Sequence, residues 1–273
     1  DYIGINGAQS GDVHITDQQA SILVGAGLAF SDAGAIDANI DQTTLDVGAA
    51  TGTHLKTSLQ DLQKLGVDTV LVTGSETSMT VDLGVPGQGI DSTLQLSGAH
   101  IPVFGDTNGD GILSAQEDAA LAVTLNLDQA NVQAEINHVV DIASQLSAAG
   151  IDYIGVNGNQ SGDITISDAQ ASILVGAGLA FSDANATGTH VDHITLDAGA
   201  ATGTHLKTSL QDLQKLGVDS VLVTGSETSM TVDLGHIGDG VLGGQLSGGS
   251  LPIFGDTDGS GDLSTAEDNA LSV

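Results

Sequence analysis

Asp106, Asn108, Asp110, Ser114 and Glu117 fall at positions 1, 3, 5, 9 and 12 of one twelve-residue stretch, DTNGDGILSAQE. All five side chains end in oxygen. Gly111 at position 6 permits a sharp turn, Ile112 at position 7 offers its backbone carbonyl, and the terminal Glu can present both carboxylate oxygens. Calcium takes about six to eight oxygens at roughly 2.3–2.6 Å, and this spacing winds such donors round one point. The pattern returns at residues 256–267, where Asp256, Asp258, Ser260, Asp262 (through its carbonyl), Ser264 and Glu267 take the equivalent places. Ser260 in place of Asp110 removes one formal charge, which the Asp262 side chain can return through water. Ca2+ is the expected cofactor, with these twelve residues as its ligands. Leu113 and Leu263, at position 8, are expected to anchor each loop to the core. A plain acidic turn before a helix is the alternative, because Ser114 and Glu117 also have the spacing of a capping box.

The twelve-residue pattern resembles the EF-hand loop. The preceding HIPVF at 100–104 contains Pro and reads as extended, where a full EF-hand has an entering helix. The arrangement is therefore similar to the loop-then-helix form of dockerin-type calcium sites. A dockerin sets two such loops side by side in a small module, whereas these lie one repeat apart, so cohesin binding is not implied. A fainter echo runs from Asn157 to Asp168 and from Asn6 to Asp17. It has a neutral first position and Asp at the last, and a hairpin turn explains it equally well.

Other chemistry is thinly represented. His190 and His193 are a close pair in what reads as a surface loop. His54 and His205 are expected to begin Leu-rich helices, near solvent or a strand end. Lys56 and Lys207 lie in THLKT, which lacks the Gly-Lys-Ser/Thr of a phosphate loop. Carboxylates are so numerous that no pair stands out for acid–base work. Near-identical copies suit a scaffold, while an enzyme needs one well-built pocket, so no enzymatic activity is expected.

Composition narrows the partners. Thirty-five Asp and Glu against four basic residues give a formal charge of −31. Nucleic acid is excluded, because binding it requires clustered Lys and Arg; anionic membrane surfaces are excluded on the same ground. So much like charge favours bound cations. Without cysteine there is neither a disulfide framework nor thiolate chemistry. No apolar run reaches membrane-spanning length, so no membrane insertion is expected. The chain opens at Asp1 with no leader, and reads as a mature or excised piece. Hydrophobic residues at 40% are too many for disorder, and with aromatics at 2% the core must be built from Leu, Ile, Val and Ala.

Self-comparison organises the rest. Residues 1–33 return at 152–184 with 27 of 33 identical, and residues 49–84 return at 200–235 with one change, Thr69 to Ser220. The period is about 150 residues, giving repeat 1 at 1–151 and a truncated repeat 2 at 152–273, one calcium loop in each. Residues 124–151 have no counterpart in the second copy, so the chain is cut from a longer array or its end is completed by a neighbouring chain. A weaker half-repeat joins LGVD at 65–68 to AGID at 149–152, each closing a helix and opening a strand. Leu55, Leu59, Leu62 and Leu65 fall at helical spacing before Gly66. Asp128 is expected to cap a helix with Ile136, Val139, Val140, Ala143 and Leu146 on one face, ended by Gly150. Residues 69–73 and 79–83 read as two arms of a hairpin around GSETS, as do 2–6 and 12–16 around GAQSG. Asp17 is expected to open a helix over 18–27, followed by a short strand at 44–46. The fold class expected is mixed α/β (α+β): a tandem repeat of strand-hairpin and helix units, with surface loops at 31–42, 85–100 and 236–250.

The LGVD and AGID junctions, with the calcium loops, resemble those of very large repetitive secreted proteobacterial proteins, such as surface-layer-like proteins and calcium-dependent adhesins. The resemblance implies a secreted or cell-surface protein. Its expected role is a structural calcium-binding module of an extracellular fibre, surface layer or adhesin stalk, self-associating or packing on neighbouring repeats. The alternative is a calcium-dependent adhesin domain binding a glycan or another surface through Gln88, Asp91 and Gln95.

Overall fold

A computed structural model describes residues 1–4, 13–31, 42–48, 53–73, 77–84, 101–108, 110, 112–157, 163–182, 193–199, 204–223, 228–235, 251–257 and 262–273. Loops 85–100 and 236–250, with Gln88, Asp91 and Gln95, lie outside the described residues. So do nearly all of loop 31–42, His190, Asp258 and Ser260.

In chain order the first elements are β1 (Tyr2–Ile3), β2 (Val13–Thr16), α1 (Asp17–Gly25), β3 (Ala29–Phe30), β4 (Thr43–Asp46), β5 (Thr53–His54) and α2 (Leu59–Leu65). There follow β6 (Thr69–Leu71), β7 (Ser78–Asp82), β8 (Val103–Phe104), α3 (Ala115–Asp118), β9 (Ala122–Asp128), α4 (Val132–Asp141), α5 (Ala143–Ala148) and β10 (Tyr153–Asn157). The second stretch holds β11 (Ile164–Ser167), α6 (Asp168–Ala177), β12 (Ala180–Phe181), β13 (Ile194–Asp197), β14 (Thr204–His205) and α7 (Leu210–Leu216). It ends with β15 (Ser220–Leu222), β16 (Met230–Thr231), β17 (Ile253–Phe254) and α8 (Thr265–Asp268). The chain forms two compact units, residues 1–131 with 144–157, and residues 132–143 with 158–273. Helix α4 thus belongs to the second unit although it precedes residue 152.

The protein is a mixed α/β structure, and the pairings within β1–β3, β2–β4–β6–β8, β5–β7–β9–β10, β11–β13–β15–β17 and β14–β16 are all parallel. The expected hairpins are absent. Strand β6 pairs with β4 and β8, while β7 pairs with β5 and β9, so the two arms read around GSETS join different sheets. Likewise β1 pairs with β3 and β2 with β4. A parallel neighbour requires a crossover of a dozen or more residues, and α1 and α2 lie in such crossovers. The alternation of apolar residues fixes which side chains face inward but not which strand lies alongside.

Within the first unit, β2, β4, β6 and β8 form one sheet in that order. Ile15 lies opposite Leu45, Leu45 opposite Val70, and Val70 opposite Phe104, and all four are buried. Each such side chain contributes roughly 1.5–3 kcal/mol by leaving water. A second sheet in this unit runs β5, β7, β9, β10, with Val81, Leu125 and Ile154 in one fully buried row. The second unit has the sheet β11, β13, β15, β17, with Ile166, Leu196 and Val221 in the corresponding row.

The helices follow their local signals closely. Ser58 caps α2 by accepting from the Asp61 N–H, and Leu59, Leu62 and Leu65 are fully buried. Gly66 then stops the helix in the left-handed region at φ 79°. Helix α1 runs 17–25 rather than 18–27, with a capping box from Thr16 and Gln19. Asp128 accepts from the Ala130 N–H and from the Asn131 side-chain amide ahead of α4, and the expected long helix is broken into α4 and α5 around Ile142. Gly150 closes it at φ 86°, where an added Cβ would lie 2.9 Å from both the Phe104 carbonyl and Leu113. No other residue type fits there without a shift.

Candidate calcium loops

Each loop begins where a short strand ends, buried in β8 and half-buried in β17. Strand β8 runs into Gly105, at φ 84°, and then Asp106, which is almost wholly buried; β17 leads to Gly255, at φ 87°, and to Asp256, equally buried. At the far end Ser114 and Ser264 cap α3 and α8 with full capping boxes, their partners being Glu117 and Glu267. The plain structural reading and the calcium reading therefore use the same serine and glutamate.

The Glu117 side chain turns inward and is only 8% exposed. Its Oε1 accepts from the Thr107 N–H at 2.9 Å, the Thr107 hydroxyl at 2.7 Å and the Asn108 N–H at 3.3 Å, and its Oε2 accepts from the Ser114 N–H at 3.1 Å. One carboxylate thus ties the start of the loop to its end. Glu267 does the same with the Thr257 N–H and hydroxyl, both at 2.7 Å, and the Ser264 N–H at 3.0 Å. Hydrogen bonds from Thr107 first and Ser114 next hold the Glu117 carboxyl at about 2, down from 4.5. Ser264 and then Thr257 do so for Glu267, also to about 2. Both groups are ionised at any ordinary pH.

Between these ends, Asn108 Oδ1 accepts from the Asp110 N–H and Asp110 Oδ1 from the Ile112 N–H, each at 2.9 Å. Each is a side-chain contact to the backbone two residues on, of the kind Asn and Asp make in turns. Ile112 is largely exposed, leaving its carbonyl role to the backbone alone. Leu113 is half-buried and lies against Gly150, as an anchor should, whereas Leu263 is 41% exposed and does not serve as one. Asp258 and Ser260 lie outside the described residues. Among the described residues no three His, Asp or Glu side chains converge on one point, so the structure turns Glu117 and Glu267 inward without gathering the remaining carboxylates around them. The donors themselves (carboxylate, amide, hydroxyl and carbonyl oxygen) are those a hard divalent cation takes.

Several acidic residues outside the two loops have definite work of their own. The Asp17 carboxylate accepts from the Lys56 and Thr57 N–H groups at 2.9 and 3.1 Å, and Asp168 accepts from Lys207 and Thr208 at 2.8 and 3.0 Å. The THLKT amides are therefore occupied by a carboxylate of the chain itself. The aspartates of the Gly-x-Asp junctions form a second set. Asp68 accepts from the Thr43 N–H, Asp152 from Val123 and Asp219 from Ile194, each at 2.8 Å. Each clasps the start of a neighbouring strand, at its first residue in β4 and β13 and its second in β9. Burial pushes the Asp152 carboxyl up from its usual value. The only forewarning was the position of each Asp, first in a helix or second after its terminal Gly.

The histidines are also placed. His54 and His205 lie on strands rather than opening helices, and their Nε2 atoms sit 3.0 Å from Asp82 and Asp233. His193 lies 3.2 Å from the Ser220 hydroxyl. No helix among the described residues is long and apolar enough to cross a membrane. No protein-family model, curated protein or solved structure matches this chain.

Proposed function

We propose that this chain is a calcium-binding structural module of an extracellular fibre, surface layer or adhesin stalk, in which the ion stiffens tandem repeat copies and favours their assembly. The observation that carries this reading is the inward turn of Glu117 and Glu267. Each closes a twelve-residue loop of oxygen donors between a strand end and a helix start. Asp106, Asn108, Asp110, the Ile112 carbonyl, Ser114 and Glu117 would hold one ion. Asp256, Asp258, Ser260, the Asp262 carbonyl, Ser264 and Glu267 would hold the other.

A bound cation would supply the positive charge that a chain of formal charge −31 otherwise lacks in these loops. Because a ligand bound only by the folded state stabilises it by mass action, folding and calcium occupancy are coupled. Secretion and self-association belong to the same proposal. The repeat of β2, β4, β6, β8 as β11, β13, β15, β17 supports a unit made to be stacked.

Calorimetric titration with Ca2+, paired with thermal melts in calcium and in excess chelator, tests the reading. Saturable binding of two ions and a melting temperature several degrees higher in calcium are expected, with Glu117→Gln removing one ion. Absence of binding, with identical melts in both conditions, overturns it.

A further inference from the structure

Helix α4 is pinned within its unit by side chains at two of its positions. The Gln133 amide donates to the Thr165 carbonyl at 2.9 Å while Gln133 Oε1 accepts from the Thr165 N–H at 3.3 Å, and the Gln170 amide donates to Asn137 Oδ1 at 2.8 Å. Between and beside them stand Glu135 and His138, three residues apart and therefore neighbours on the helix surface. Glu135 is only 1% exposed, and its Oε1 is shut off from solvent. His138 is half-buried as a residue, but its Nε2 is shut off as well, and among the described residues no hydrogen bond reaches that nitrogen. A buried polar atom left in this state calls for an explanation, and an ion or a water is the ordinary one.

We propose that Glu135 and His138 form a binding site for a divalent metal ion of the Zn2+ class, the carboxylate giving an oxygen and the imidazole its Nε2. Glu-x-x-His is a spacing by which one helix turns two ligands towards a single ion. Imidazole beside carboxylate suits Zn2+, whereas Ca2+ takes oxygen ligands, so the site is distinct in chemistry from the two acidic loops. An ionised carboxylate has about four lone-pair positions, which lets Glu135 hold the ion and keep a bond to the protein at once. Ligands carried on a fixed helix are also held more precisely than ligands on a loop. Among the described residues no third His, Asp or Glu joins the pair, so water or neutral oxygen completes the coordination and the ion stays exchangeable.

Three other histidines show the contrast. His54 and His205 meet Asp82 and Asp233 at 3.0 Å, and His193 meets the Ser220 hydroxyl at 3.2 Å, each through Nε2. His138 alone of these four keeps that nitrogen inside with nothing bonded to it. The inference does not rest on the calcium reading, because neither ligand lies in a loop.

The test is a calorimetric titration of the full chain with Zn2+ in excess Ca2+, which occupies exposed carboxylates with a hard ion, and the NMR signals of the histidine rings are the second readout. A saturable Zn2+ site is expected, with the His138 ring among the signals that move. His138→Gln and Glu135→Gln should each weaken that binding roughly tenfold or more, the scale on which even the outer-shell partners of a metal act. His54→Gln should leave it unchanged. If Glu135→Gln disturbs folding, as circular dichroism would reveal, the half-buried His138→Gln and the ring signals of the parent decide alone. Equal Zn2+ binding by the parent and His138→Gln, a His138 ring signal unmoved at saturation, or zinc held only by the exposed His–Asp pairs overturns the inference. Whether the loops take Ca2+ is read separately, in the calcium titration and melts, so the two failures are distinguishable.

Discussion

The two copies share most of their residues and differ in what lies against them. Strand β7 is paired along its length between β5 and β9; the matching β16 pairs with β14, and on its other side Ser229 bridges Ser272. Leu113 finds Gly150, whereas Leu263 is exposed. What stays constant is the set of carboxylate clasps: Asp17 and Asp168 bind the same pair of amides at almost the same distances. Local sequence thus fixes the clasps, and the presence or absence of a covering strand fixes burial.

The most forceful way to break this comparison is to truncate the same leucine in both copies. Leu83→Ala should cost about 2–5 kcal/mol, as a fully buried leucine does, while Leu234→Ala, at a residue 55% exposed, should cost under about 1 kcal/mol. Hydrogen exchange resolved by strand would report each copy separately. Equal costs would mean that β16 is as covered as β7.

A smaller effect sharpens the constant half of the comparison. Asp17→Ala and Asp168→Ala each strand two backbone donors, at an expected cost of about 1–3 kcal/mol, and the two costs should agree closely because the geometries do. Urea unfolding of each single variant and of the double variant measures this. Additivity is expected for sites in separate units.

The mildest probe is pH. Glu117 and Glu267 have folded-state values of about 2 against an ordinary 4.5. A depressed carboxyl contributes stability that is fully present above the unfolded value and is lost as pH falls towards the folded one. Acid titration in chelator should therefore leave both loops intact above pH 4.5 and loosen them together between 4.5 and about 2. Glu117→Gln should abolish this loosening in the first loop alone, read by exchange at Thr107 and Ser114.

Much of the local structure was legible beforehand. The leucines at 59, 62 and 65 and Gly66 gave α2 its face and stop, and the Ser114-x-x-Glu117 spacing gave the start of α3. Strand partnership was not legible. GSETS and GAQSG carry the turn residues of a hairpin, yet the strands on either side belong to different sheets. Alternation over four or five residues constrains which face is buried and says nothing of the neighbour. Nor did net charge reveal the work of individual acids: Asp17, Asp68, Asp152, Asp168 and Asp219 are balanced by backbone amides, so surplus carboxylates are a poor count of metal sites. In the loops the Ser-x-x-Glu spacing gave both the cap and the inward glutamate, but no spacing could show that Thr107 and Asn108 would share that carboxylate.

The twin strands have a consequence for how the chain reaches this arrangement. When unfolded protein is renatured all at once, residues 124–128 meet two chemically identical landing places, and loop-closure entropy favours the nearer by less than about 1 kcal/mol. Emergence from a ribosome removes the ambiguity, since the upstream place is filled before its twin has been made. Biosynthetic order, more than pairwise energetics, would then decide which isomer forms.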